Sequence, residues 1–360
     1  MSNYSVYQQT TAPKDHTYKL LQLTPELLTY MKDHRNKELV IKATEESKNQ
    51  LVLCTEGKTW RIRQMNHSNT VILLEDSRSP RVKKELGSDS LLGFSRLSYE
   101  YELSKTIGQI HINHLPVYDG ESEIESSRSV NDLLNNSLIS REQFNHEWHQ
   151  LGGCQINGKA VILAPKLISE GLYLLIQMII ANNIDYKKDS VNFERILLLM
   201  HNHNNKFTDR ITWTILNKFG TKEGDGKSFK LDNKAISVWF GIESLHNTST
   251  KLLSTNDFLL AWKTSLPPFY TVPIDINYLR GYFYRPSGDI IRFLDPMSLT
   301  QGDLNSRIQE LFKVTNEWDY DDFYPFISRL IPPGKKPESY VLKYAKKKRV
   351  GKNKFIVCPR

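Results

Sequence analysis

Eight of the last twenty-two residues, Ser339 to Arg360, are Lys or Arg, and none is acidic. The cations are Lys343, Lys346, Lys347, Lys348, Arg349, Lys352, Lys354 and Arg360, and their chemistry is the neutralisation of a polyanion. The chain as a whole holds 48 Lys and Arg against 40 Asp and Glu, so this end carries the entire net charge of +8. A charge excess confined to one segment predicts a local polyanion site, not a diffusely basic protein.

Catalytic patterns are weaker. The stretch GTKEGDGKS ends in Gly226-Lys227-Ser228 but has Thr221 where a phosphate-binding loop needs glycine, and a helical pattern, not a strand, precedes it. It reads as a hairpin turn. The histidine pairs are His111 with His114, His146 with His149, and His201 with His203, none in HExxH spacing. His111 falls in an expected strand, where residues three apart point to opposite faces. No G-x-S-x-G is present, and Cys54, Cys154 and Cys358 form no CxxC pair. These patterns predict a binding protein, not an enzyme, with no cofactor and no metal; a metal-dependent nuclease is the remote alternative. The widely spaced cysteines suggest a reducing compartment, and the N-terminus has no signal-peptide pattern. LISEGLYLLIQMII from Leu167 is too short and polar for a membrane span and predicts a buried helix.

The elements that must position the basic end fall into two textures, giving an α+β fold. Residues 1–14 are polar and expected to be disordered. Residues 15–116 predict a short helix in LTPELLTYMK, with Thr24 as N-cap and Pro25 at its first turn. Six strands follow: ELVIKA, QLVLCT, KTWRIRQ, NTVILLE, LSYEYELS and TIGQIHIN. Clusters such as EESKN, NHS and DSRSP mark turns, and the whole predicts a small barrel-like domain whose open edges another chain could pair. Residues 117–129 are acidic and serine-rich, the expected linker. Helices dominate beyond it, with a capping residue followed by apolar residues four and eight later at Ser140/Phe144/Trp148, Asp189/Phe193/Leu197, Ser254/Phe258/Trp262 and Asp319/Phe323/Ile327. The last three are each followed by another helical stretch and a strand-like hairpin, the winged-helix plan. This predicts winged-helix regions over residues 130–231, 232–298 and 299–360, the Ser140 copy being a partial module or part of the first. Trp148, Trp213, Trp239 and Trp262 fall on apolar helix faces and are expected in cores.

In the last module, Pro337-Glu338 opens a helix on which Val341, Leu342 and Ala345 face inward while Lys343, Lys346, Lys347 and Arg349 face out. Gly351 ends it, and KNKFIVCPR forms the wing. The charge then rides on a recognition helix and wing, the elements that meet DNA in such modules. Lysine-rich faces grip phosphates more than they read bases. A bare KKKR localisation signal or a solvated tail is the alternative, but neither needs the interleaved Val341, Leu342, Phe355, Ile356 and Val357.

LLQLTPELL, LVLCTEGKTWRIRQMNHSNTVILL, NHLPVYDGE, FLLAWKTSLPPFY with DINYLRGYFY, and YVLKYAKKKRVGK together resemble the sister chromatid cohesion proteins of the DCC family, budding-yeast type. These are non-ATPase subunits of the alternative replication factor C clamp loader. The resemblance runs from about Tyr18 to the C-terminus. It implies an N-terminal β domain completed, as a heteromeric triple barrel, by the C-terminal peptide of the loader's large subunit and by a small third subunit. It also implies serial winged helices that bind single- and double-stranded DNA, docking onto the catalytic subunit of DNA polymerase epsilon, and a nuclear role in DNA replication, sliding-clamp loading or unloading, and cohesion. DNA binding maps most directly onto Lys343, Lys346 and Arg360. The reading from another class is a nuclear adaptor whose basic end is only a localisation signal.

Overall fold

The computed structural model describes all residues except 1–3, 10–16, 45–49, 77, 79, 87–88, 125–126, 225, 301, 332–335 and 353. Chain contacts divide it into two units, Met1–Tyr118 with Ser122–Ile162, and Asp119–Glu121 with Leu163–Arg360.

The first unit holds strands β1 (Ser5–Gln8) and β2 (Leu21–Gln22), helix α1 (Pro25–Asp33), β3 (Val40–Ala43), β4 (Leu51–Cys54), β5 (Thr59–Asp76), α2 (Pro80–Leu86), β6 (Ser90–Thr106), β7 (Val117–Tyr118), α3 (Val130–Asn135), α4 (Arg141–Gln150), β8 (Gly153–Ile156) and β9 (Lys159–Leu163). As expected, Thr24 caps α1, its hydroxyl accepting from Leu27 N at 3.3 Å, with Pro25 in the first turn. Leu27, Leu53 and Trp60 form the core beneath. The sheet runs β1-β6-β5-β4-β3, with β2 also along β6; among the described residues it stays open.

Several expectations are corrected here. KTWRIRQ and NTVILLE are one continuous strand, β5, because β6 pairs with both stretches and a register shift between Asn66 and Val71 absorbs the predicted NHS turn. His67 Nε2 lies 3.1 Å from Glu100 Oε1 across that irregularity. TIGQIHIN contributes only Thr106 to a strand. Gly108 lies so close to Ile139 that a Cβ would meet its Cγ1 at 2.3 Å, and Gln109 makes an isolated bridge to Leu138. His111 therefore sits in irregular chain, its amide donating to Ser137 Oγ at 3.4 Å. Within residues 1–14, Ser5–Gln8 pair with β6; residues 1–3 and 10–14, and the EESKN turn, lie outside the described residues.

The acidic segment 117–129 is not a free connection. Val117–Tyr118 join the sheet β7-β9-β8, Ala160 N donates to Arg128 O at 2.8 Å, Lys159 Nζ donates to Ile124 O at 2.7 Å, and Ser129 caps α3 in a reciprocal pair with Asp132. Backbone groups of the segment find partners on the hairpin, which holds it in place.

The second unit continues with α5 (Pro165–Ala181), β10 (Val191–Asn192), α6 (Phe193–His203), α7 (Asp209–Phe219), β11 (Gly220–Glu223), β12 (Ser228–Leu231), α8 (Asn233–Asn247), β13 (Leu253–Ser254), α9 (Thr255–Ser265), β14 (Phe283–Ser287), β15 (Ile290–Phe293), α10 (Leu304–Val314), β16 (Trp318–Asp319), α11 (Tyr320–Ile327), α12 (Pro337–Tyr344), β17 (Ala345–Gly351) and β18 (Lys354–Pro359). The long apolar stretch is α5, burying Leu167, Leu172, Leu175 and Ile179. Among the described residues no helix is long and apolar enough to cross a membrane.

One arrangement recurs. A two-residue strand leads into a helix, and a hairpin follows whose second strand pairs with that short strand, in sheets β10-β12-β11, β13-β15-β14 and β16-β18-β17. The sheet β7-β9-β8 has the same order in the first unit. The leading helices are capped by Ser129, Asn192, Ser254 and Asp319, spaced 63, 62 and 65 residues apart. Two positions of the sequence pattern are thereby corrected. Ser140 precedes the second helix of its copy, α4, not the first. The cap of α6 is Asn192, so its buried positions are Ile196 and Met200, not Phe193 and Leu197. The helical stretch expected after the Ser254/Phe258/Trp262 helix shrinks to a 3-10 turn, Ile276–Leu279, because Gly281 at φ +93 redirects the chain into β14. Trp148 and Trp262 are buried as expected, whereas Trp213 and Trp239 are only half-buried, each under a lysine: Lys222 Nζ lies 4.7 Å from the Trp213 ring centre and Lys218 Nζ 5.1 Å from that of Trp239.

The GKS of the rejected phosphate loop lies at the β11–β12 turn, with Gly224 and Gly226 at φ +58 and +77 and a strand, not a helix, after it. Among the described residues no group of three His, Cys, Asp or Glu could hold a metal.

Candidate nucleic-acid interface

The basic end starts from a buried apolar base. Val341, Ala345 and Val357 join Ile308, Leu311, Trp318, Phe323, Phe326 and Ile327 in one core, fixing α12 and the β17–β18 hairpin to α10 and α11. Trp318 Nε1 donates to Leu311 O at 3.1 Å, satisfying the polar atom of the largest side chain in that core.

The predicted recognition helix is too long. α12 ends at Tyr344, and Lys346, Lys347, Lys348 and Arg349 lie on β17. Residues 345–351 pair with β18 from Ala345 opposite Pro359 to Gly351 opposite Lys354, so Gly351 serves the hairpin and caps no helix. Ladder bonding to β18 overrides the helix propensity of AKKKR. The IPPGKKP turn before the helix lies mostly outside the described residues.

Strand alternation now sorts the cations. Ala345 and Lys347 point toward the core side, where Lys347 is only 16% exposed. Its ammonium lies 3.8 Å from the Tyr320 ring centre, 4.4 Å from that of Phe355 and 3.8 Å from Glu338 Oε1. Burial, with Glu338 nearby, pushes the Tyr320 hydroxyl up to about 12, so it stays neutral and donates to Glu338 at 3.4 Å. Lys346 and Lys348 project from the opposite face and are exposed, as are Lys343 on α12 and Lys352 at the turn. Lys343 Nζ rests 4.9 Å from the Tyr340 ring centre. Arg349 Nε donates to Gly351 O at 3.1 Å, and Lys354 lies 3.8 Å from Asp319 Oδ2. Arg360 Nη2 donates to Leu342 O at 2.5 Å, which ties the C-terminus to the end of α12.

The eight predicted residues therefore divide. Lys343, Lys346, Lys348 and Lys352 present charge to solvent, and Lys347 is held inside by aromatic rings. Arg349, Lys354 and Arg360 are exposed but engaged with local partners. Sequence reasoning missed the aromatic clamp of Tyr320 and Phe355; its signal was the period of two through Ala345 and Lys347, hidden by the basic residues that follow.

A cation–ring contact recurs at this strand position, with the ring drawn from a different element in each copy. The third residue of each hairpin's first strand is a cation in three copies: Lys222 over Trp213, Arg285 with its guanidinium 5.3 Å from the Phe283 ring centre, and Lys347 over Tyr320. Arg285 Nη1 also donates to Thr255 Oγ1 at 3.0 Å, on the first residue of α9, the place that Tyr320 holds on α11.

The profile of the family described as sister chromatid cohesion protein Dcc1 matches residues 18–327. The chain is 32% identical to the sister chromatid cohesion protein DCC1 of Saccharomyces cerevisiae, covering 97% of this chain and 98% of that one. It is 22% identical to a probable DCC1 of Dictyostelium discoideum, over 92% and 91%, and 24% identical to the human DCC1, over 86% and 80%.

Proposed function

Since the chain belongs to the sister chromatid cohesion protein Dcc1 family, we propose that it is a non-catalytic, nuclear subunit of a replication factor C-like clamp loader that tethers the loader to DNA. The recurring helix–helix–hairpin copies are tandem winged helices, and the last grips single- or double-stranded DNA through its wing. The observation that carries this reading is the outward face of β17: Lys346 and Lys348 stand exposed on a hairpin anchored to a buried core, beside Lys343. A flexible localisation tail would not need Lys347 clamped between two rings.

The N-terminal sheet supports attachment to partners. β4 pairs with β5 only as far as Ile62, and beyond it one side of β5 has no strand neighbour among the described residues, with Ile72 and Leu74 exposed. Such an edge accepts a strand. The large subunit's C-terminal peptide and the small third subunit complete a triple barrel there, and the assembly docks onto DNA polymerase epsilon for clamp loading or unloading.

The test is DNA affinity against salt. Each phosphate neutralised on duplex DNA adds about −0.9 to the log–log slope, so replacing Lys343, Lys346 and Lys348 by Ala should weaken binding and make the slope shallower by about 2 to 3. Unchanged affinity and slope would overturn the wing as the DNA contact.

A further inference from the structure

We propose that an open cleft of about 620 Å³ between α5, α6, α8 and α9 receives an arginine side chain of a protein partner. This site is separate from the basic hairpin and carries the opposite preference.

Three features converge on a cation. The last residues of α6, α8 and α9, namely His203, Asn247 and Ser265, all line the cleft. Helix C-termini carry partial negative charge, and here three of them meet. Glu170 on α5 and Glu243 on α8 also line the cleft. Lys206 partly offsets Glu170, at 3.7 Å, but is shared with Glu121 at 3.6 Å; among the described residues no cation pairs with Glu243.

The remaining lining selects the cation's shape. Leu174, Phe207 and Phe240 are buried and give an apolar base, and Tyr173 adds a half-buried ring. A metal ion would find carboxylates too few and walls too apolar, and a bare ammonium would leave the base uncovered. An arginine has an aliphatic stem for the base, a flat head for the aromatic faces, and five donors for carboxylates and helix-end carbonyls. The volume lies within the range of ligand cavities and admits a side chain together with the backbone that carries it. The ligand is thus an arginine flanked by apolar residues on an exposed segment of another protein.

Isothermal titration of the full chain with acetyl-Ala-Leu-Arg-Leu-Ala-amide, against the same peptide carrying neutral, isosteric citrulline, tests this. The arginine peptide should bind about tenfold more tightly, the size of one charge-assisted contact. Glu243→Gln should abolish most of that difference. Asn247→Lys, which places the chain's own cation at a helix C-terminus where lysine is favourable, should abolish binding without loss of fold. DNA affinity of both variants should equal that of the parent chain. The proposal is overturned if the arginine peptide does not bind at millimolar concentration, if both peptides bind the parent chain alike, or if Asn247→Lys binds as the parent does.

Discussion

The ammonium of Lys347 sits 3.8 Å from the centre of the Tyr320 ring, with Phe355 on its other side. A lysine in the middle of a basic run is thereby taken out of the exposed basic face and made part of the hairpin's attachment to α11. Desolvated cation–π contacts contribute about 2 kcal/mol, so Lys347→Ala should lower stability by about 1 to 2 kcal/mol in chemical denaturation. Lys346→Ala and Lys348→Ala, on the exposed face, should stay within about 0.5 kcal/mol of the parent while weakening DNA binding. Equal stability losses for all three would refute the division of the run into two faces.

Gly241 on α8 faces Trp262 so closely that an added Cβ would meet its Cε2 at 2.6 Å and Cζ2 at 2.7 Å. Trp262 is fully buried and donates to Ser237 O at 2.9 Å, so it has no easy escape. Gly→Ala in a helix ordinarily helps by up to about 1 kcal/mol, yet here overpacking dominates and Gly241→Ala should cost about 1 to 3 kcal/mol. A melting temperature at or above that of the parent chain would mean that the helices separate readily.

Legibility in the sequence followed how local each determinant was. The cap of α1 and the apolar character of α5 were readable because they depend on neighbours within a few residues. The continuity of β5 was not, since Asn66, His67 and Ser68 look like a turn until β6 supplies a pairing partner. The caps slipped for a related reason. Asp189 and Asn192 both precede apolar residues at the right spacing, and the pairing of Val191 with Phe229 selects Asn192. At the basic end the charge was plain, but its two faces were not, because five of the seven residues from Ala345 to Gly351 give no apolar contrast on which to read a period of two. The family resemblance, carried by motifs spread along the chain, survived all of these local errors.

Asp322 joins two copies of the recurring fold. Its carboxylate, 7% exposed, accepts from Arg285 Nε at 3.0 Å and lies 3.3 Å from Arg280 Nε. Removing one partner of a buried charged group leaves the other uncompensated, so Asp322→Ala should destabilise the chain by about 3 to 5 kcal/mol. Arg285→Met with Asp322→Leu together should cost clearly less than the two single changes added, which a double-mutant cycle would register as coupling. Strict additivity would show that the pair contributes nothing beyond its separate residues.

Lys218 gives a pH signature of the opposite kind from an ordinary surface lysine. Burial lowers its ammonium from 10.5 to about 8, and its head rests against Trp239 and Phe219. Between those two values the unfolded chain binds more protons than the folded one, so stability from this group rises with pH across about 8 to 10.5, and below 8 its cost is fully present. Lys218→Met keeps the stem over the rings and removes the charge. It should therefore raise the melting temperature at pH 7 and flatten the stability gain between pH 8 and 10. A parallel shift of the whole pH profile, with the gain intact, would show that Lys218 is not the group that titrates there.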